Sequence, residues 1–110
     1  MTRLFYQVRD LDKARSFYKD TLGFTETYAD DDWAKLERAG MQIALSEGEP
    51  QPDGLVASID VDDIKAEADR LRGESVDIGT VLELHDEVRV VDVFDPDGNR
   101  LQLVQQLREG

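Results

Sequence analysis

The stretch Phe94-Asp95-Pro96-Asp97-Gly98-Asn99-Arg100-Leu101-Gln102-Leu103-Val104 decides the fold. Asp-Pro-Asp-Gly-Asn is turn chemistry: Pro96 fixes φ, Gly98 permits a positive φ, and the aspartate side chains accept from nearby backbone amides. β-rich runs stand on both sides, so the turn joins two strands, predicted over Val88–Phe94 and Arg100–Gln106. As a hairpin, the motif itself does no chemistry.

Outward from the hairpin, a further strand is predicted over residues 76–84. Before it, a helix from about Asp62 carries Ile64, Ala68 and Leu71 ahead of Gly73. Leu55, Ala57, Ile59 and Val61 alternate with Val56, Ser58 and Asp60, the period of a strand with two different faces. The second half therefore reads βαβββ. The first half repeats the order. Leu4, Tyr6 and Val8 alternate with Arg3, Phe5 and Gln7; Asp10 is a good N-cap; Leu11, Ala14, Tyr18 and Leu22 recur at helical spacing before Gly23. Strands fit residues 24–29, 33–38 and 41–46, separated by Asp30-Asp31-Asp32 and Ala39-Gly40.

Glu47-Gly48-Glu49-Pro50-Gln51-Pro52-Asp53-Gly54 is linker-like, holding two of the three prolines. We read one domain, 1–110, built of a module at about 1–47, a linker at 48–54 and a module at about 55–108. Val8-Arg9-Asp10-Leu11-Asp12-Lys13-Ala14 resembles Val61-Asp62-Asp63-Ile64-Lys65-Ala66, as an internal repeat should.

Composition narrows the function. The 110 residues include 13 Lys and Arg against 25 Asp and Glu, one His and no Cys, a net charge of −12. Such charge repels phosphate backbones and anionic membranes, so neither nucleic acid nor a membrane is an expected partner. No stretch approaches the roughly 20 apolar residues of a membrane span, and a cytoplasmic location is expected. Without Cys there is no disulfide, thiolate metal site or cysteine nucleophile. The excess acid either keeps the chain soluble or steers cationic ligands to it.

The chain resembles the vicinal oxygen chelate superfamily, which includes glyoxalase I, bleomycin-resistance proteins, fosfomycin-resistance enzymes and extradiol dioxygenases. The carriers are Val8-x-Asp10-Leu11, Ser16-Phe17-Tyr18-Lys19-Asp20-Thr21-Leu22-Gly23-Phe24, Ile59-Asp60-Val61-Asp62-Asp63-Ile64 and the Phe94–Val104 stretch. The resemblance implies an α+β fold of two βαβββ modules, with curved mixed sheets, helices outside and a pocket enclosed by the modules. It also implies a homodimer whose pockets combine the first module of one subunit with the second of the other. Leu4, Val8, Ile43, Leu45, Leu55, Ile59, Leu101 and Leu103 would lie against the helices. Arg3, Phe5, Gln7, Gln42, Ala44, Ser46, Val56, Ser58, Gln102 and Val104 would face the pocket, unless that mixed face is an ordinary solvent face.

Metalloenzymes of the superfamily hold their ion with His, Glu or sometimes Gln at four pocket positions. On this chain those positions are Arg3, Ala44, Val56 and Gln102. Arg has no lone pair to offer, Ala and Val have no donor, and a neutral amide alone is a poor ligand set. Shifting the first module's register to reach Glu47 would spoil the alternation of Ile43 and Leu45. No metal, no cofactor and no catalytic residue is therefore expected. What remains resembles the bleomycin-resistance branch, which sequesters ligands without transforming them. A metal-dependent lyase, isomerase or dioxygenase with displaced ligands, and a structural dimer, are the alternatives.

The residues expected to line a small-molecule site are Arg3, Phe5, Trp33, Lys35, Gln42, Ser58, Arg89 and Gln102. Phe5 and Trp33 would stack on a flat group, Arg3 and Arg89 would pair with a carboxylate or enolate, and the amides and hydroxyl would orient it. Trp33 is equally readable as a core or dimer-interface aromatic. His85 lies among Glu83, Asp86 and Glu87 and reads as a solvated loop histidine, with a general base over the pocket as the sharper alternative. Asp60, Asp62 and Asp63 stand at a strand-to-helix junction, where acids cap helices.

Overall fold

The computed structural model describes residues 2–50, 56–84 and 86–107. The expected Leu55 strand position and His85 lie outside them. Strand β1 (Thr2–Val8) leads to helix α1 (Leu11–Ser16) and strands β2 (Thr25–Ala29), β3 (Trp33–Arg38) and β4 (Met41–Glu47). After the linker come β5 (Ala57–Asp60), α2 (Ile64–Gly73), β6 (Asp77–Ile78), β7 (Leu82–Leu84), β8 (Val88–Phe94) and β9 (Arg100–Gln106). The first sheet has the order β1-β4-β3-β2; the second has β5-β9-β8-β6, with β7 also paired to β8. In each, the first and last strands of the module run parallel and the others antiparallel. The α+β class and both βαβββ modules are as expected.

Local chemistry explains the helices. Asp10 and Asp63 occupy the N-caps and accept from the backbone N–H of Lys13 and Ala66. The next orphan donor is met across the module in both halves: Leu11 N–H donates to Glu47 Oε1 at 3.2 Å and Ile64 N–H to Gln105 Oε1 at 2.9 Å. The first helix departs from the expected uniform run to Leu22. It is α-helical only to Ser16, and Phe17–Thr21 form a π turn in which Leu22 N–H reaches the Phe17 carbonyl. Gly23, at φ +73°, ends it.

Alternation sorts the sheets as the sequence requires. Tyr6, Val8, Ala34, Leu36, Ile43, Leu45, Ala57, Ile59, Val91, Val93, Leu101 and Leu103 are buried in one core shared by both modules, together with Leu11, Ala14, Tyr18, Leu22, Ile64 and Leu71 of the helical segments. Each second strand carries a correction to simple alternation. In β2, Glu26 faces Leu36 but Tyr28 faces Lys35, so one extra residue is inserted. The expected strand 76–84 is two pieces: Ile78 faces Val93 and Leu82 faces Val90, again one residue more than the partner strand supplies.

Buried polar groups fasten the modules together. The fully buried Tyr18 hydroxyl donates to Asp95 Oδ2 at 2.8 Å. Asp95 Oδ1 accepts from the backbone N–H of Asp97 and of Asn99, and Oδ2 accepts again from Asn99 Nδ2. Asn99 Nδ2 also donates to the Gln7 carbonyl on β1. The Tyr6 hydroxyl donates to the Arg100 carbonyl at 2.7 Å and accepts from Ala57 N–H at 2.9 Å. Arg38 adds an ion pair to Glu67 of α2 and a hydrogen bond to the Leu22 carbonyl. The Asp-Pro-Asp-Gly-Asn hairpin is therefore the clamp of the fold, as well as a turn. Burial holds the Tyr18 hydroxyl well above its ordinary pKa, with the Asp95 charge adding to it, and Tyr6 is raised by the same desolvation. Among the described residues no helix is long and apolar enough to cross a membrane.

Candidate functional site

The strand faces turned away from the core carry the candidate site. In the first module the register aligns three rows across the sheet. Arg3, Gln42 and Glu37 stand side by side; Phe5, Ala44, Lys35 and Tyr28 form the next row; Gln7, Ser46 and Trp33 form the third. In the second module, Ser58, Gln102 and Asp92 form one row, and Asp60, Val104, Val90 and Leu82 the next. We call these the open faces.

The apolar pattern is selective. Among the described residues, the large exposed hydrophobic side chains are Phe5 at 58% of full exposure, Leu82 at 54%, and Tyr28 and Leu84 at 44%. All four stand on the open faces. Three of them are there because of the inserted residues. On strict alternation from Glu26, Tyr28 would share the face of Leu36, and Leu82 and Leu84 would share that of Ile78. A one-residue insertion reverses every side chain beyond it.

Tyr28, Trp33 and Lys35 form one cluster. The Tyr28 and Trp33 rings lie 5.2 Å apart at 46°, and Lys35 Nζ sits 5.0 Å from the Trp33 ring centre and 5.8 Å from that of Tyr28. The β2–β3 turn positions the pair. Asp30 Oδ1 accepts from the backbone N–H of Asp32 and Trp33, while Oδ2 takes the Tyr28 hydroxyl at 2.6 Å. That hydroxyl holds the Asp30 carboxyl below its usual pKa, and the two backbone donors add to it; the same bond raises Tyr28. The Asp30-Asp31-Asp32 run is thus turn and positioning chemistry. Next to the cluster, the buried Ala44 contributes only a methyl group to the row between Phe5 and Lys35.

On the second open face a cavity of about 190 Å³ is lined by Gly79, Thr80, Leu82, Val90, Val91, Asp92 and Gln102. Asp92 lies 3.5 Å from Gln102 Nε2 and 3.6 Å from the Arg100 guanidinium. A larger groove of about 470 Å³ opens elsewhere, between the π turn (Phe17, Thr21), the segment Glu74–Asp77 and the hairpin residues Phe94–Pro96 and Gly98.

The structure brings Phe5, Trp33, Lys35 and Gln42 to one open face and Ser58 and Gln102 to the other. The Arg3 backbone pairs with Gln42 on the first face, and its side chain lies outside the described residues. Arg89 does not join them. It shares the face of Val91 and Val93, opposite Gln105, and pairs with Glu83 at 3.1 Å, because its odd position on β8 turns it toward the helix side. Sequence reasoning passed over Tyr28, whose face depends on the inserted residue, and Asp92, which alternation from Val91 and Val93 would have placed correctly.

Among the described residues, the positions that the resemblance implies for a metal do not present a ligand set for one. Ile43 and Leu45 are both fully buried, which fixes Ala44 on the open face. Glu47 faces the other way and caps α1. Val56 precedes β5 and is half-buried. Among the described residues no three His, Asp or Glu side chains gather around a point where an ion would sit.

Over residues 1–103 the sequence matches the model of the Glyoxalase/Bleomycin resistance protein/Dioxygenase superfamily. The chain belongs to that superfamily. Among solved structures, an integron cassette protein from the mobile metagenome of a Halifax Harbour sewage outfall superposes with a TM-score of 0.82 at 20% identity, covering 96% of this chain and 97% of its own. An antibiotic-binding protein of Streptomyces sp. CB03234, TnmS3, gives 0.81 at 23% identity, with 96% and 94% covered. A lactoylglutathione lyase of Agrobacterium tumefaciens gives 0.78 at 14%, with 96% and 92% covered. At these identities the likeness is one of fold, and the superfamily spans binders and enzymes on it. No curated protein matches the sequence.

Proposed function

We propose that this superfamily member is a small-molecule binder that works without a metal, and that its pocket forms when the first-module open face of one subunit meets the second-module open face of another. The observation that carries the reading is the sorting of side chains on those faces. Every large exposed apolar group among the described residues stands there, beside a positioned aromatic pair and a row of hydrogen-bonding groups, Ser58, Gln102 and Asp92. Exposed apolar surface gathered on particular faces marks an interface or a ligand groove, and a shared pocket makes it both.

The reading of the four metal positions supports binding over metal catalysis. A cation, two apolar side chains and one amide do not make a ligand set for a divalent ion. Phe5, Trp33 and Tyr28 supply flat apolar area at little conformational cost, and Gln42, Ser58 and Gln102 orient what lies against it. Antibiotic binding by a relative of the same fold is consistent with such a site.

Two measurements on the purified chain test this. Light scattering should give twice the 12.5 kDa chain mass, and incubation with Ni, Zn, Mn or Fe(II) followed by desalting should leave less than about a tenth of an equivalent of metal. A monomer at micromolar concentration would remove the shared pocket. Near-stoichiometric metal would return the protein to the enzymes of its superfamily.

A further inference from the structure

We infer that the ligand of the first-module open face is a planar anion, an aromatic or conjugated carboxylate or phenolate, and that Lys35 is the residue that reads its charge. This deepens the binding reading above and rests on it.

The other cations are largely taken up by the chain's own acids. Among the described side chains, every arginine lies within ion-pair distance of a carboxylate: Arg9 with Asp97, Arg15 with Glu26, Arg38 with Glu67, Arg70 with Glu74, Arg72 with Asp69, Arg89 with Glu83 and Arg100 with Asp92. Lys19 pairs with Glu26 as well. Lys13 and Lys65 are exposed and need no partner. Lys35 is different. It is half-buried, and its described interactions are with the faces of Tyr28 and Trp33 alone.

In a chain with 25 acidic residues, carboxylates are the most available partners. A half-buried ammonium without one keeps its charge exposed to whatever approaches the open face. The two rings hold the ammonium in place without neutralising it, since a ring quadrupole offsets only part of a cation's field.

The geometry then selects the shape of the anion. Lys35 lies in the row Phe5, Ala44, Lys35, Tyr28, in which the exposed Phe5 and Tyr28 rings stand on either side of it. A flat ring laid against this row would meet Phe5 on one side and the Tyr28–Trp33 pair on the other, and an acidic substituent on the ring would meet Lys35 Nζ. A flat cation would meet Lys35 with like charge. The long-range field of a −12 chain draws cations nearer, but that field is screened over about 10 Å at 0.1 M salt and the contact with Lys35 is not.

Trp33 makes the test direct, because it is the single tryptophan of the chain and gives one indole N–H resonance. Titrations with benzoate, benzamide and benzylammonium at 0.15 M salt, followed at that resonance, should give benzoate the tightest binding, by about fivefold or more over benzamide. Lys35→Gln should bring benzoate to the level of benzamide, while Lys35→Arg should retain most of the preference. Unchanged melting temperatures check that both variants are folded. If benzamide or benzylammonium binds as well as benzoate, or if Lys35→Gln leaves the preference intact, the inference is overturned and the open face still stands as a binding site. If none of the three moves the Trp33 resonance at millimolar concentration, the binding reading fails together with it.

Discussion

Replacing Tyr18 by Phe removes a single oxygen from the interior and tests whether the hairpin clamp holds the two modules together. The Tyr18 side chain is fully buried and its hydroxyl donates to Asp95 Oδ2 at 2.8 Å. In Tyr18→Phe the Asp95 carboxylate keeps three donors, Asp97 N–H, Asn99 N–H and Asn99 Nδ2. No charge is left unpartnered, and the ring keeps its edge contacts with Phe17 and Phe24. The loss is thus one hydrogen bond to a charged acceptor, about 1.5–3 kcal/mol. Unfolding entropy near 2.1 cal/mol/K per residue converts this, for a chain of 110, into a fall in melting temperature of about 6–13 °C. Thermal melts followed by circular dichroism at pH 7, at one protein concentration, measure it. Tyr28→Phe is the control: its hydroxyl also bonds a carboxylate, Asp30, but on the surface, so its loss should lower the melting temperature far less than loss of the Tyr18 hydroxyl. A Tyr18→Phe melting temperature within 2 °C of the parent would refute the clamp. Asp95→Ala should cost more, about 3 kcal/mol or above, since it strands the buried Tyr18 hydroxyl and the buried backbone N–H of Asn99.

Other predictions follow from the same structure. The folded-state pKa values of Tyr6 and Tyr18 are raised above 10.0, chiefly by burial, so the unfolded chain loses these protons first; stability is intact below pH 10 and falls as pH rises beyond it, and Tyr18→Phe should flatten that alkaline loss in urea titrations. Glu26 is lowered below 4.5, first by its hydrogen bonds from Arg15, so its contribution is present above the unfolded value and lost as pH falls through the folded one; Glu26→Gln should be less stable than the parent at pH 7 and converge with it in acid. Gly98 has φ +83° and open space where a Cβ would stand, so Gly98→Ala should cost about 1 kcal/mol of backbone strain and no steric penalty, read as a shifted urea midpoint at unchanged slope.

Much of this protein is legible in the order of its residues. Alternation at Leu4, Tyr6 and Val8, at Ile43 and Leu45, and at Leu101 and Leu103 assigns the core face of each sheet, since a strand's side chains must point alternately to its two sides. Asp10 and Asp63 announce the helix starts, and the repeated βαβββ order gives the two modules. The same alternation puts Phe5, Trp33, Lys35, Gln42, Ser58 and Gln102 on the open faces. Arg89 stands instead on the helix side, because its position on β8 has the parity of Val91 and Val93. What tertiary structure alone decided is of two kinds. The inserted residues in β2 and between β6 and β7 turn Tyr28, Leu82 and Leu84 to the open faces, and an insertion exists only relative to the register of the partner strand. The Asp95 hairpin becomes a clamp because Tyr18, 77 positions away, arrives with a buried hydroxyl that only a folded chain can present. Local periodicity fixes which way a side chain points along its own strand; what it meets there is set by burial and pairing between segments far apart in sequence.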